Sequence, residues 1–420
     1  MLLQSTPAPS PLRPRLLAVG DAVAATGFAR VLHNVLGPLQ DSYEIHHIGV
    51  NYHGDPHDFG WKIYPAKLGG DLQGVGRLLP MIESQQPRLI FLLNDIWILV
   101  DYWKQLADAV RGTDVKTVMY CPIDAGPVEP ELLAQLEGVD RFVVYTQFAH
   151  GEIEKALAQI RAERPNFMFP EVDVIPHGVD VERFPAHADD LGEIDSPGRR
   201  RAWSTLFGDD DPAFREPFIV LNANRNQPRK RIDITIKGFA KFAAVKPDNV
   251  KLHLHMGIED AGWNVVTLAR RYGIADRLIL TAQDNNIPSV PDEQLRDIFA
   301  AACVGVNTSI GEGWGLVSFE HAATGAAQIV PGHSACAELW EGAALLLKPV
   351  MTVTTERILT DGGLVSADDL ADALERLYAD RDLLSEMSKA AHRRATQPEL
   401  RWPAVARVWG ELFQETVAWD

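Results

Sequence analysis

Gly311, Gly313 and Gly315 place three glycines within five residues, just after the apolar run 304–307, and they frame Glu312 and Trp314. Glycines at this density let a backbone approach a ligand closely, and a helix opening at Val317 presents unpaired N–H groups to anionic oxygen. The chemistry implied is binding of a phosphate without a metal, by the backbone of Gly313, Trp314, Gly315, Leu316 and Val317. Glu320 follows Glu312 at an offset of eight, which lets both carboxylates face one cleft. The alternative is a glycine-rich connection with a solvated glutamate on either side.

A second group of chemical residues lies upstream. The run 218–223 ends in Asn224, Arg225, Asn226, Gln227, Pro228, Arg229, Lys230 and Arg231. An arginine fork and a lysine point charge at the end of a parallel strand can neutralise the charge that develops on a departing nucleoside diphosphate. A basic, solvated turn is the other reading.

Glu312, seven intervening residues and Glu320, written Glu-Gly-Trp-Gly-Leu-Val-Ser-Phe-Glu-His-Ala from Glu312 on, resemble the E-x7-E signature of family 4 glycosyltransferases. Residues 325–330 and then Glu338 resemble that family's next strand and pocket loop, and 174–180 resembles its hinge-side strand ending in Pro-His-Gly-Val-Asp. The resemblance implies a GT-B fold, two Rossmann-like doubly wound domains facing a central cleft, and a retaining transfer from a UDP- or GDP-sugar to an unidentified acceptor. It assigns Glu312 to the donor sugar and Glu320 to the ribose hydroxyls, and its five-residue offset selects Arg225 and Lys230 for the diphosphate. The recognisable motifs span 174–338; the N-terminal half matches only in the order of its strands and helices.

That half also departs from the family pattern. Its first strand-to-helix loop, 21–28, has Gly27 alone where a glycine pair is usual, so Thr26 and the Gly27 amide are left to meet the phosphate or the acceptor. After the strand 116–122, Asp124 stands where the family often has a histidine. There it would bind a sugar hydroxyl or orient an acceptor, or simply cap the next turn. Asn94 and Asp95 form a third polar loop on the same side, Trp97 to Trp103 offer aromatic groups for sugar stacking or for a core, and His177 reads as a core or turn histidine.

Loops of this kind need strands to hold them in register. Nearly continuous apolar runs at 16–20, 44–50, 88–93, 116–122 and 141–146 alternate with helical segments at 28–36, 76–84 and 99–110. Such runs predict a parallel sheet covered on both faces. The alternation lapses between 177 and 217 into Pro, Asp and Arg clusters, then resumes with strands at 218–223, 251–256, 277–280, 304–307, 328–330 and 344–347. The expected division is an acceptor domain over 14–190 and a donor domain over 191–400, with a last helix over 402–420 returning to the first. Two such domains create a cleft where the carboxyl ends of both sheets face each other.

Composition narrows the rest. A chain of 420 residues exceeds the ~250–300 at which one core stops growing. A net charge of −17 disfavours nucleic acid as a partner. Cys121, Cys303 and Cys336 are odd in number and widely spaced, which fits a reducing, cytoplasmic setting, and 1–14 does not read as a signal peptide. No apolar run reaches the ~18 residues of a transmembrane helix, and peripheral membrane contact is left open with nothing in the sequence arguing for it. His46, His47, His53 and His57 match no zinc spacing, and Asp209 to Asp211 lie in the polar linker rather than after a strand, so no metal or other cofactor is expected. The glycine cluster lacks the dinucleotide fingerprint, and no P-loop occurs. A sugar-nucleotide epimerase or hydrolase of the same fold, and a non-catalytic sugar-nucleotide-binding protein, remain as alternatives.

Overall fold

A computed structural model describes residues 13–24, 26–186, 191–208, 216–286, 288–356 and 358–418. The expected domain boundary at 190, Asp209 to Asp211 and nearly all of the N-terminal tail lie outside these residues.

The first sheet contains β1 (Arg15–Asp21), β2 (Glu44–Val50), β3 (Lys62–Pro65), β4 (Leu89–Leu93), β5 (Lys116–Cys121), β6 (Arg141–Val144) and β7 (Val172–Val174). All pair in parallel in the order β3-β2-β1-β4-β5-β6-β7. The second contains β8 (Phe218–Asn222), β9 (Val250–Leu254), β10 (Leu278–Leu280), β11 (Val304–Val306), β12 (Ala327–Pro331) and β13 (Leu345–Leu347), in the order β10-β9-β8-β11-β12-β13. Its pairs are parallel as well. β4, β8 and β11 are buried along their whole length, because helices cover both faces and leave no solvent side on which polar residues could alternate.

Strand order reverses between β1 and β4 in one sheet and between β8 and β11 in the other. At such switch points neighbouring loops leave in opposite directions and open a crevice beyond the carboxyl ends. The residues with chemistry sit there: Asp21 and Asn94–Asp95 after β1 and β4, Arg225–Lys230 and Asn307–Glu312 after β8 and β11.

Several elements escaped the periodicity. The helix Gln147–Glu163 has a polar mean composition, and only residues such as Ile153, Leu157 and Ile160 mark its buried stripe. The hairpin β14 (Pro349–Thr354) and β15 (Asp361–Val365) is largely exposed on its first strand, so no apolar alternation announces it. The segment 195–207 contains the helix Pro197–Phe207, capped by Ser196 and tied to the second domain by Trp203 Nε1 donating to Ala301 O at 2.8 Å.

The last helix, Trp402–Val417, packs on the first domain: Trp409 lies 4.9 Å from Phe91 and 4.7 Å from Tyr120 between ring centroids. Val179 N donates to Leu400 O at 2.6 Å, so the two passages of the chain between domains run side by side. One apolar cluster continues through the junction, from Tyr145 to Trp314, Phe319 and Trp402.

Candidate functional site

The Glu312 carboxylate is built into the donor-side loop from four directions. Asn307 Nδ2 and Ser309 Oγ donate to its Oε1 at 3.0 and 2.9 Å, and Lys230 Nζ donates to the same oxygen. Arg229 Nη1 stands 3.7 Å from Oε2. Glu312 is only 4% exposed. Burial alone would raise its pKa, but Lys230, Arg229 and the hydrogen bonds outweigh it and hold the group at about 2. Glu312 is therefore an anion at any working pH. Burial and the neighbouring Arg229 push the Lys230 ammonium below its usual range, with Glu312 pulling the other way.

The basic turn Arg229–Arg231 divides its side chains. Lys230 and Arg229 turn toward Glu312, whereas Arg231 forms a double hydrogen bond to Asp233, 2.9 Å on each arm. Arg225 is half exposed and bidentate to Asp260, at 2.7 and 3.1 Å. It borders the cleft as an arginine already oriented by a carboxylate rather than as a partner of Glu312.

Gly315 opens the helix Leu316–Ala323 with φ of +90°, a conformation that favours glycine. The Trp314 ring is buried and stacked on Phe319 at 4.9 Å, so what it offers a ligand is its backbone amide. Leu316 lies against Gly27 of the opposite domain, where a Cβ would come within 3.3 Å of its Cδ1. Val317 follows in the first turn of the helix. Glu320 is buried on that helix, and Arg30 of the opposite domain donates to its Oε1. The expected ribose carboxylate is thus paired with a cation from the opposite domain.

On the first domain, Thr26 Oγ1 accepts from Ala29 N at 3.1 Å, capping the helix Gly27–Leu36, and donates to Asp21 Oδ2 at 2.6 Å. Its hydroxyl is committed on both counts. Asp21 is buried at the switch point, and burial raises its pKa against hydrogen bonds from Thr26 and Asn51. Asp124 carries the junction: its Oδ2 lies 3.1 Å from Arg229 Nη1. A Cβ on Gly313 would stand 2.9 Å from Asp124 Oδ1, and one on Gly311 2.7 Å from Asp124 O, so both glycines are required by close approach. Asp95 is pushed up to about 7 by burial and by the charge of Asp124, against Arg229.

Glu338 sits at the junction too, accepting from Gln147 N and Phe148 N at 3.1 and 2.6 Å. This donor-domain carboxylate caps the first turn of an acceptor-domain helix, a role that suits the positive end of the helix dipole. His177 is buried, with Nδ1 2.9 Å from Tyr120 Oη and a pKa lowered to about 3 by burial; it is a core histidine. His46 and His47 are occupied by Tyr64, Glu44 and Gly20 O. Among the described residues, no three His, Cys, Asp or Glu side chains are placed to hold a metal ion, and no helix is long and apolar enough to cross a membrane. All three cysteines are free and buried.

Arg229 joins its neighbour Lys230 at Glu312, and Arg30 and Asp21, which no motif singles out, stand at the site as well. Arg229 carries charge to both Glu312 and Asp124, Arg30 reaches Glu320, and Asp21 anchors the first loop. Asp21 was legible as a charged residue ending an apolar parallel strand; Arg30 was not, because only the approach of the two domains brings it to Glu320.

Residues 249–407 match the family described as Glycosyl transferase-like. A D-inositol 3-phosphate glycosyltransferase of Nocardiopsis dassonvillei is 29% identical over 204 residues, covering 47% of this chain and 42% of that protein. One of Streptomyces griseus is 32% identical over 164 residues, covering 37% and 33%. The matched stretch thus takes in less than half of either relative. Among solved structures, sucrose-phosphate synthase from Thermosynechococcus elongatus superposes with a TM-score of 0.70 at 17% identity, covering 97% of this chain and 100% of that one. The Anabaena protein HepE, solved with UDP and glucose, gives 0.67 at 16%, covering 96% and 100%. The chain has the GT-B fold of these structures, and its second half is similar to glycosyltransferases.

Proposed function

We propose that the chain is a retaining glycosyltransferase that moves a sugar from a nucleoside-diphosphate sugar to a hydroxyl acceptor without a metal ion. The observation that carries this reading is the buried Glu312–Lys230–Arg229 cluster beyond the β8/β11 switch point, next to the open end of a helix. A fixed anion with two cations beside it is what a site needs to hold sugar hydroxyls and neutralise a leaving diphosphate together.

In this account the diphosphate lies at the N-terminus of the helix Leu316–Ala323, on the amides of residues 313–317, with Lys230 and Arg225 as counter-charges. Glu320 takes the ribose hydroxyls once Arg30 has left it. Glu312 holds the donor sugar, and Asp124 faces the acceptor across the cleft. The acceptor oxygen bonds to the anomeric carbon on the face from which the diphosphate departs. The bond to the leaving oxygen breaks with its electron pair, and the acceptor proton passes to that phosphate oxygen. A uridine or guanosine nucleotide is the proposed donor half; that HepE was solved with UDP and glucose supports uridine first.

A panel of UDP- and GDP-sugars, assayed for nucleotide binding by calorimetry and for release of nucleoside diphosphate with and without sugar acceptors, tests the reading. Acceptor-dependent release with a retained anomeric product is expected. Epimerisation or stoichiometric hydrolysis of the donor with no acceptor would point instead to an epimerase or hydrolase. Binding without any turnover would point to a sugar-nucleotide-binding protein.

A further inference from the structure

We propose that the pocket beyond the carboxyl ends of β4 and β5 is the acceptor subsite, and that it takes an uncharged polyhydroxylated ring rather than a phosphorylated or carboxylated one. This rests on the transferase reading above and adds the class of its second substrate.

The pocket adjoins the donor half through Asp124, which lines it while packing on Gly311 and Gly313. A ring held here therefore lies beside the loop that carries Glu312. Trp97 forms an exposed aromatic wall, 40% accessible, over an apolar floor that includes Ile96, Ile123 and Val128. Ile358 and Thr360, from the turn of the β14–β15 hairpin, close the far side, and Asp361 N donates to Gly126 O at 2.6 Å to fix that hairpin on the acceptor domain. The pocket is thus built mainly on the first domain and closed by the second, as a subsite for the second substrate of a two-domain enzyme should be.

Its polar groups are Asp95, Asp124 and Glu129, and among the described residues lining it there is no lysine, arginine or histidine. The nearest cation with a defined partner, Arg229, is already shared between Asp124 and Glu312. An acceptor phosphate would enter beside three carboxylates with no cation among the lining residues to answer it, whereas hydroxyls can donate to them. The Asp95 side chain makes no cap hydrogen bond to the helix it precedes, and burial with the charge of Asp124 and Asp21 raises it to about 7 against Arg229. A carboxyl titrating there serves a hydroxyl in either protonation state, as acceptor or as donor, and repels a second anion. The curated relatives are named for D-inositol 3-phosphate, a polyol carrying a phosphate. On this chain the polyol would fit and its phosphate would not.

The test uses the full chain with the nucleotide sugar it turns over and paired acceptors: myo-inositol against inositol 3-phosphate, glucose against glucose 6-phosphate. Product formation and saturation-transfer NMR binding in the presence of nucleoside diphosphate are both read. Uncharged members preferred at least tenfold are expected, with Asp95→Asn and Trp97→Ala each raising the acceptor KM about tenfold while nucleoside diphosphate affinity holds. Preference for the phosphorylated members overturns the proposal, as does an unchanged acceptor KM in both variants. So does donor hydrolysis with no signal from any uncharged ring. Failure of every nucleotide sugar to bind would sink the transferase reading itself, a separate result.

Discussion

The two walls of the cleft treat charge differently. On the donor side the charges are answered: buried Glu312 by Lys230, Arg229, Asn307 and Ser309, and the more exposed Arg225 by Asp260 and Arg231 by Asp233. On the acceptor side the Asp95 side chain makes no cap hydrogen bond to its helix, and burial outweighs Arg229 at Asp95, and Arg225 with the hydrogen bonds of Thr26 and Asn51 at Asp21, so both carboxyls are raised. A compensated buried charge holds its geometry before any ligand arrives, which is what stabilising a leaving diphosphate requires. An uncompensated one waits for its partner. In the proposed reaction the first half-site would hold the donor and the second would select the acceptor.

The comparison can be broken by removing charges from each side. Lys230→Ala should have the largest effect, lowering kcat by ~10²–10³-fold in transfer assays, since one preorganised counter-charge contributes about 3–4 kcal/mol to a transition state. It also leaves Glu312 buried with its main partner gone, so chemical denaturation should show a loss of about 3 kcal/mol. The sign of the pH effect follows from Glu312. Its folded pKa of about 2 lies below the unfolded value, so its stabilisation is full above about pH 5 and is lost as pH falls toward 2. Unfolding curves of Glu312→Gln should lack that acid-side loss.

On the acceptor side the sign reverses. Asp95 has a folded pKa raised to about 7, so the unfolded chain ionises first and this group costs stability progressively from about pH 4 to 7. Asp95→Asn should therefore stabilise the protein at pH 7, by about 1–2 kcal/mol in denaturant titrations, while weakening the acceptor. Destabilisation of that variant at neutral pH would show that Asp95 is compensated after all.

Between the two walls stands Arg30. If Glu320 takes ribose only after Arg30 leaves, Arg30→Ala should tighten nucleoside diphosphate binding by about threefold to tenfold in calorimetry, because the competent state no longer competes with the ion pair. Weaker binding would instead make Arg30 a ligand of the nucleotide. The smallest effect is expected from Glu338→Ala, which removes the cap on Gln147 and Phe148 and should cost about 1 kcal/mol in thermal or denaturant unfolding.

Local pattern made most of the scaffold readable. The strands at 44–50, 218–222 and 304–306 and the helices at 232–243 and 402–417 follow directly from runs and periods that only burial on one or two faces explains. The edge strand β3, with no fully buried residue, and the exposed strand of the hairpin carry no such signal, and that hairpin forms part of the acceptor pocket. The segments that carry Glu312, Glu320, Arg225 and Lys230 stood out because each is short and of fixed spacing; the structure brings Lys230 to Glu312, while Arg225 pairs with Asp260 and Glu320 with Arg30. The contacts of Arg30 with Glu320, 290 positions apart, and of Glu338 with Phe148, 190 apart, depend on how two domains meet, which no local spacing encodes.

The central claim is that Glu312 is a permanent anion placed for the donor sugar. Single-turnover transfer from the active nucleotide sugar by Glu312→Gln, with circular dichroism checked against wild type, tests it most directly. A fall in the chemical rate of at least about 100-fold, with nucleoside diphosphate affinity and fold retained, is predicted. Transfer at the wild-type rate in that variant would contradict the account.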